Sequence, residues 1–188
     1  MLPYVLGGAM VIAMLGAVFL SDRGGTGATP PPARGPAGLE AAPAATPPDL
    51  STMTPRERFD RLFDRVMRAS ETGDSGTVTT FSPMALAAYG MLESVDADAR
   101  FHAAMLRLAT GDGAGAIALA DTIAAGQPRH LFGILIRGSV ARAKRDQAAL
   151  KAAERDFLAA YPAEIAAGRP EYPGHQILID RFLKEAKP

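Results

Sequence analysis

Cysteine is absent from this chain of 188 residues. Its absence excludes a disulfide framework, a thiolate metal site, a cysteine nucleophile and the acylated residue of a lipoprotein. The chain also lacks an excess of charge, because 20 Lys and Arg residues balance 20 Asp and Glu residues. A neutral chain creates no long-range field that would attract nucleic acid or an acidic substrate. We therefore expect no nucleic-acid partner.

The familiar motifs of catalysis are missing as well. The sequence contains no Gly-x-Ser-x-Gly elbow, no phosphate-binding loop and no dinucleotide fingerprint. A glycine-rich stretch at 111–115 joins two predicted helices rather than a strand to a helix, which argues against a phosphate site. We predict no catalytic residue and no cofactor, and we interpret the chain as a protein that is not an enzyme.

Three histidines remain as possible metal ligands, and they are His102, His130 and His175. A zinc site needs three or four ligands supported by further hydrogen bonds. The sequence has no His-Glu-x-x-His motif and no pair of histidines four residues apart. No acidic cluster is recognised beside these histidines in the sequence. These histidines are therefore interpreted as hydrogen-bonded or exposed residues, and no metal site is predicted.

The chain begins with an uncharged run of 19 residues, Leu2–Leu20. As a helix this run spans roughly 28 Å, close to the thickness of a bilayer's hydrocarbon core. A cleaved signal peptide is the alternative, but no basic residue precedes the run and no small-x-small cleavage site ends it. We predict a retained single-pass transmembrane anchor at residues 1–23, in a bacterial inner membrane.

The charges that flank the hydrophobic run hardly distinguish on which side of the membrane the C-terminal part of the chain lies. Arg23 and Arg34 follow the hydrophobic run, which slightly favours a cytoplasmic C-terminus. Residues 24–50 favour the opposite side, because they resemble linkers that cross the bacterial cell envelope. In Gly24–Leu50, 19 of 27 residues are Ala, Gly or Pro, so neither helix nor sheet can propagate there. We interpret 24–50 as a spacer, or as a segment ordered by a partner, and favour the periplasm.

Residues 51–188 have the pattern of an all-α domain. Thr54, Pro55 and Glu57 form the capping box of a first helix with an apolar stripe. The pair Ser82-Pro83 predicts the start of a second helix ending near Glu93, after a stretch 77–81 that we interpret as a loop. Residues 54–93 thus form a predicted helical hairpin. A capping helix is predicted at about 174–186.

An internal repeat with a period of 34 residues occupies the middle of this domain. Its two units are about 97–130 and 131–164. Each unit is predicted to contain a helix, a turn before an Asp, a second helix and a terminal Pro. The residues that recur are Ala104 and Gly138, Ala109 and Ala143, Asp112 and Asp146, and Pro128 and Pro162.

In spacing and in these positions the sequence resembles the tetratricopeptide repeat family. Ala104 and Gly138 match its small residue at position eight, and Gly111-Asp112 matches its turn between helices. The sequence departs from the family where Arg100 and Ile134 replace a preferred Trp. The resemblance implies a short α-solenoid of antiparallel helix pairs, with 54–93 as a divergent pair.

In that family the first helices of the repeats line a groove that binds a peptide or a helix. Carried onto this sequence, the partner-binding groove comprises Phe101, Met105, Leu108, Leu135, Ser139 and Arg142. An alternative interpretation is that several of these side chains pack against the hairpin 54–93. The expected function is a membrane-tethered interaction module, acting as scaffold, assembly factor or accessory subunit of a membrane protein complex. An enzyme or ligand-binding domain whose site lacks a sequence motif is the second hypothesis.

Overall fold

The computed structural model describes residues 53–187, which are all-α. The α-helices within this range are α1 (Pro55–Thr72), α2 (Ser75–Gly90), α3 (Ala97–Ala109), α4 (Gly113–Gly126), α5 (Leu131–Ala143), α6 (Gln147–Ala166) and α7 (Gln176–Ala186). A short 3-10 helix, Pro173–His175, precedes α7. The described residues contain no β-strand, so the predicted all-α class is confirmed for this part of the chain.

The predicted anchor at 1–23 and the spacer at 24–50 lie outside the described residues. Within residues 53–187, every helix is too short or too polar to cross a lipid bilayer.

The helices α1 to α6 each begin at a residue whose side chain caps the helix, whereas α7 has no side-chain cap. The capping box predicted at Thr54 and Glu57 is confirmed, since each side chain accepts a hydrogen bond from the other residue's backbone. Asp74, Asp96, Asp112 and Asp146 accept backbone N–H bonds at the starts of α2, α3, α4 and α6. These carboxylates satisfy amides that have no partner inside the helix.

Two predictions about proline were wrong. Pro83 lies inside α2, which begins at Ser75 and includes the stretch 77–81 that was interpreted as a loop. The helix starts early because Gly73 ends α1 in a left-handed conformation and Asp74 caps the next amides. Pro162 likewise lies inside α6, which continues to Ala166 instead of ending at the proline. Packing of the flanking turns outweighs the single hydrogen bond that each proline removes.

The helices pack in chain order, each against the next. In addition α1, α3, α5 and α7 touch one another in sequence, whereas α2, α4 and α6 make no such contacts among the described residues. The odd-numbered helices therefore form an inner layer and the even-numbered helices an outer one. Large buried rings on the inner layer, Phe59, Phe63, Phe101 and Phe132, fill one continuous core.

Candidate functional site

A cavity of about 900 Å³ is lined by several ionisable side chains of the described residues. It opens between the first turns of α3, the last turn of α4 and the connection from α6 to α7. Its charged and imidazole lining side chains are Asp64, Asp96, Asp98, Arg100, His102, Glu171 and His175. Acidic side chains outnumber basic ones in this lining, because it contains four carboxylates and one guanidinium.

Two of these side chains come from one face of α3. Asp98 and His102 are four residues apart, so they stand one above the other on the helix. The Asp98 side chain is 18% exposed and that of His102 is 13% exposed, which leaves both at the cavity wall. Nε2 of His102 lies 3.6 Å from Oδ1 of Asp98, so the two are neighbours without a hydrogen bond.

Arg56 of α1 fixes the other oxygen of Asp98. Its guanidinium donates to Oδ2 of Asp98 at 2.5 Å and to Oδ2 of Asp96 at 3.0 Å. Its Nε also contacts both carboxylate oxygens of Asp60, one turn further along α1. The planar guanidinium thus orients three carboxylates and leaves Oδ1 of Asp98 facing the histidines.

The connection between α6 and α7 is held in place by a second network. The hydroxyl of Tyr172 accepts a hydrogen bond from the backbone N–H of Leu131 and donates to Glu164. Arg169 donates to the same Glu164 carboxylate. Burial by itself would raise the pKa of Glu164, but these hydrogen bonds outweigh it and lower the pKa. The connection is therefore anchored to the start of α5 and to the end of α6.

His130 completes this anchor. Its Nδ1 accepts a hydrogen bond from the backbone N–H of Phe132, so Nε2 carries the proton and donates to Glu171 at 2.7 Å. The ring is buried, and burial lowers its pKa even though Glu171 acts in the opposite direction. The folded state therefore favours the neutral form of the His130 imidazole.

This anchored connection delivers His175 to Asp98. Nε2 of His175 donates to Oδ1 of Asp98 at 2.7 Å, across 77 positions of sequence. Burial of Asp98 opposes ionisation, but His175, His102 and Arg56 prevail and lower the pKa of Asp98 to about 2. The aspartate is consequently ionised at neutral pH and faces two imidazoles.

His102 is held rigidly. Its ring stacks on Phe63 with centroids 3.9 Å apart and an interplanar angle of 15°. Its Nδ1 is buried and, among the described residues, has no hydrogen-bond partner; the nearest carboxylate, that of Asp60, is 3.7 Å away. Burying a ring nitrogen without a partner costs free energy, so the position calls for an explanation.

Asp98, His102 and His175 together form a compact set of ligand atoms. One donor atom from each residue lies within 4.8 Å of the donor atoms of the other two. His175 is hydrogen-bonded to Asp98, in agreement with the expectation, but the sequence did not indicate that His102 and His175 lie beside each other and share a carboxylate neighbour. The only sequence signal was the Asp98-x-x-x-His102 spacing, since His175 joins them through tertiary structure alone. His130 is hydrogen-bonded, one of the two environments expected for these histidines, and its ring is buried.

The groove residues inferred from the sequence divide into two groups. Phe101, Met105 and Leu135 are buried in the core. Phe101 stacks on Phe132 with centroids 4.5 Å apart, and the edge of His175 approaches it at 5.1 Å. Phe132 of α5 and His175 of the connection before α7 thus cover the ring of Phe101, while α1 and α2 also pack against α3.

The remaining three groove residues lie partly exposed at the C-terminal halves of α3 and α5. They are Leu108, Ser139 and Arg142. Arg142 donates to Glu185 of α7 at 2.5 Å, so its charge is already paired within the domain. None of these three residues lines the cavity that holds Asp98 and His175.

Comparison with known proteins gives no relative. Neither a protein-family model, nor a curated protein, nor a solved structure matches this chain.

Proposed function

We propose that this chain is a membrane-tethered protein–protein interaction module of the tetratricopeptide kind. The observation that carries the proposal is the recurrence of helix bounds: α3 and α5 start at Ala97 and Leu131, and α4 and α6 start at Gly113 and Gln147. Both offsets are 34 residues. A repeated helix pair that stacks on its neighbours is the unit of α-solenoids, whose characteristic function is to present binding surfaces.

The turns and crossings within the two pairs support the same proposal. Gly111 and Arg145 both adopt a positive φ, and Asp112 and Asp146 both cap the following helix. Gly138 allows the Phe182 ring to approach the backbone of α5 closely. The chain is in this respect similar to a short solenoid of antiparallel helix pairs, in which α1–α2 is a divergent pair and α7 a cap.

The acidic cavity is the surface proposed to bind the partner. Arg56 already pairs with two of its four carboxylates, Asp96 and Asp98, so Asp64 and Glu171 are the ones that would meet a basic segment of a partner protein. Burial raises the pKa of Asp64 at its edge, and Arg68 and Arg61 act in the opposite direction without cancelling the effect. In a scaffold, assembly factor or accessory subunit, such a cavity would select a Lys- or Arg-bearing segment of another membrane-complex component.

The N-terminal segments supply the proposed location. Residues 1–23 would anchor the module as a single-pass segment in a bacterial inner membrane, and residues 24–50 would hold it away from the bilayer. The periplasm is the side we favour. Alkaline phosphatase and green fluorescent protein, each fused separately after Pro188, test it. Phosphatase activity in intact cells supports the periplasm, and an inactive phosphatase fusion together with a fluorescent second fusion contradicts it.

Site-specific photocrosslinking in cells tests the binding surface. A photoreactive residue is placed at Gln127 in the cavity, at Ser139 in the groove inferred from the sequence, and at Arg155 on an exposed face of α6. We expect a discrete crosslinked protein from Gln127 alone. Crosslinking from Ser139 alone would move the site to the other surface, and none from any position would contradict the interaction module.

Charge substitution then tests whether the partner contacts the cavity with basic side chains. Asp64→Asn should reduce the yield of the Gln127 crosslink and its sensitivity to salt, because screening weakens exposed ion pairs. Asp156→Asn is the matched control, since Asp156 is exposed and does not line this cavity. Equal yields from the two variants would contradict a basic partner.

A ligand-binding or enzymatic domain remains the second candidate function. The observation in its favour is the convergence of Asp98, His102 and His175 at the cavity wall. Crosslinking does not test this candidate, whereas binding of a metal ion by these three side chains would support it.

A further inference from the structure

We propose that Asp98, His102 and His175 bind a divalent transition-metal ion of the Zn²⁺ class. Their ligand atoms already lie within 4.8 Å of one another at the wall of the 900 Å³ cavity. Two imidazole nitrogens and one carboxylate oxygen favour zinc, cobalt or nickel over magnesium or calcium, which prefer oxygen ligands alone. The proposal concerns this chain's own chemistry and is independent of a protein partner.

The distances fit a small tetrahedral ion with modest adjustment. Zinc bonds of ~2.0–2.1 Å at tetrahedral angles place neighbouring ligand atoms about 3.3 Å apart. Nε2 of His102 and Oδ1 of Asp98 are separated by 3.6 Å. Nε2 of His175 is 2.7 Å from that oxygen, so binding replaces this hydrogen bond and opens the pair. The proton on Nε2 moves to Nδ1 of the same ring, which leaves a lone pair for the metal.

The surrounding residues supply the outer support that metal sites require. A histidine that binds a metal through Nε2 usually donates its Nδ1–H to a carboxylate or a carbonyl. Nδ1 of His102 is buried, has no hydrogen-bond partner among the described residues, and lies 3.7 Å from Oδ1 of Asp60. Arg56 binds the other oxygen of Asp98 and so directs Oδ1 to the metal position. The metal-bound state gives the otherwise unpartnered Nδ1 a role.

Charge and position favour the ion as well. Asp60, Asp64, Asp96 and Asp98 lie around the cluster; Arg56 pairs with Asp60, Asp96 and Asp98, while Arg68 and Arg61 act on Asp64. The ionised carboxylate of Asp98, whose Oδ1 faces both imidazoles, supplies the negative charge that attracts a dication. Because α3 supplies two ligands and the connection before α7 supplies the third, the ion would clip the C-terminal helix to the repeat. The fourth coordination position faces the cavity, where water or a ligand group can complete it.

Metal titration of the full-length protein in detergent tests the site. After removal of metals with a chelator, Zn²⁺ is added in competition with a chromophoric zinc indicator. We expect one Zn²⁺ per chain with micromolar or tighter affinity, an increase in Tm on saturation, and at least 100-fold weaker binding of Mg²⁺. Failure of the unaltered protein to bind Zn²⁺, or equal binding of Mg²⁺, would overturn the proposal.

Substitutions locate the ion on these residues. His175→Gln and Asp98→Asn should each weaken Zn²⁺ binding at least tenfold, while Asp156→Asn should leave it unchanged. Far-ultraviolet circular dichroism checks that each variant is folded. Unchanged affinity in folded His175→Gln places the ion elsewhere and overturns the site.

A second measurement requires no variant. Co²⁺ bound in a tetrahedral site of two nitrogens and one or two oxygens should give visible absorption bands that Zn²⁺ abolishes. Bands of an octahedral aqua ion alone would overturn the proposed coordination. Neither metal experiment bears on crosslinking at Gln127, so the failure of one proposal is distinguishable from the failure of the other.

Discussion

Gly138 of α5 lies directly beneath the ring of Phe182 of α7: a Cβ at Gly138 would stand 2.6 Å from Cε2 of that ring. Phe182 is only 4% exposed and its ring packs against Phe157 with centroids 4.8 Å apart, so neighbouring side chains oppose a shift of the ring. The repeat position that admits only a very small residue is thus the one at which the last helix docks.

Replacing Gly138 should therefore weaken the docking of α7. Alanine favours a helix over glycine by about 1 kcal/mol, but overpacking against Phe182 costs about 1–3 kcal/mol, so we expect net destabilisation in urea unfolding. Gly126→Ala at the open end of α4 is the control and should be neutral or slightly stabilising. If Phe182→Leu does not partly rescue Gly138→Ala, the steric explanation is wrong.

The fold should be more stable with glycine than with arginine at position 145. Its φ of 57° lies in the left-handed region, at the repeat position where Gly111 has a φ of 81°. Relief of left-handed strain is worth about 1–2 kcal/mol and the added chain entropy of glycine offsets part of it. We expect Arg145→Gly to stabilise the fold by about 0.5 kcal/mol and Gly111→Ala to destabilise it by about 1 kcal/mol, measured by chemical denaturation. Changes of the same sign in both variants would contradict this.

Tyr172→Phe should destabilise the domain and loosen the connection before α7. The substitution leaves the N–H of Leu131 and the carboxylate of Glu164 without their hydroxyl partner, at a cost of about 2 kcal/mol. Amide hydrogen exchange should rise in 169–175 and at the start of α5. Tyr161→Phe is the control, because the Tyr161 ring is only half-buried beside Phe157. A similar loss in both variants would mean that the hydroxyl of Tyr172 has no special role.

Stability should decline as the pH falls below the ordinary histidine range, and His130 should account for part of the decline. Burial lowers the pKa of His130 in the folded state, so the unfolded chain takes up a proton first. The free energy of unfolding is therefore largest above pH ~6.5 and falls as the pH drops toward the folded-state pKa. Chelator-treated His130→Gln should be less stable at neutral pH and show a shallower decline between pH 7 and 5. An unchanged slope in thermal unfolding would contradict this assignment.

Local signals in the sequence predicted the helices where a cap and a periodic stripe agree, as at Thr54, and failed where a single residue type was given too much weight. Pro83 and Pro162 were interpreted as helix boundaries because an isolated helix cannot easily accommodate proline. In the folded chain, the burial of Ala85 and Ala160 in the neighbouring turns favours continued helix on both sides. Local propensity is a weak prior when tertiary packing opposes it.

The candidate site was less accessible to prediction for a different reason. The i,i+4 spacing of Asp98 and His102 could be derived from the sequence, because helix geometry alone places such residues on one face. Arg56 and His175 lie 42 and 77 positions from Asp98, and no local pattern links them. Similarly, Phe101 and Leu135 have the spacing of a groove, but whether they face a partner or the core depends on what covers them.

The sequence by itself determined the all-α class, the 34-residue recurrence of the helix pairs and the capping of α1, because these follow from short-range hydrogen bonding and periodic burial. Only the tertiary structure decided that Phe101, Met105 and Leu135 are buried and that His175 meets Asp98. The physical reason is the connection held by Tyr172, Glu164 and His130, which crosses the start of α5 and carries His175 onto α3. Contacts of that range depend on the packing of whole helices, which sequence spacing does not encode.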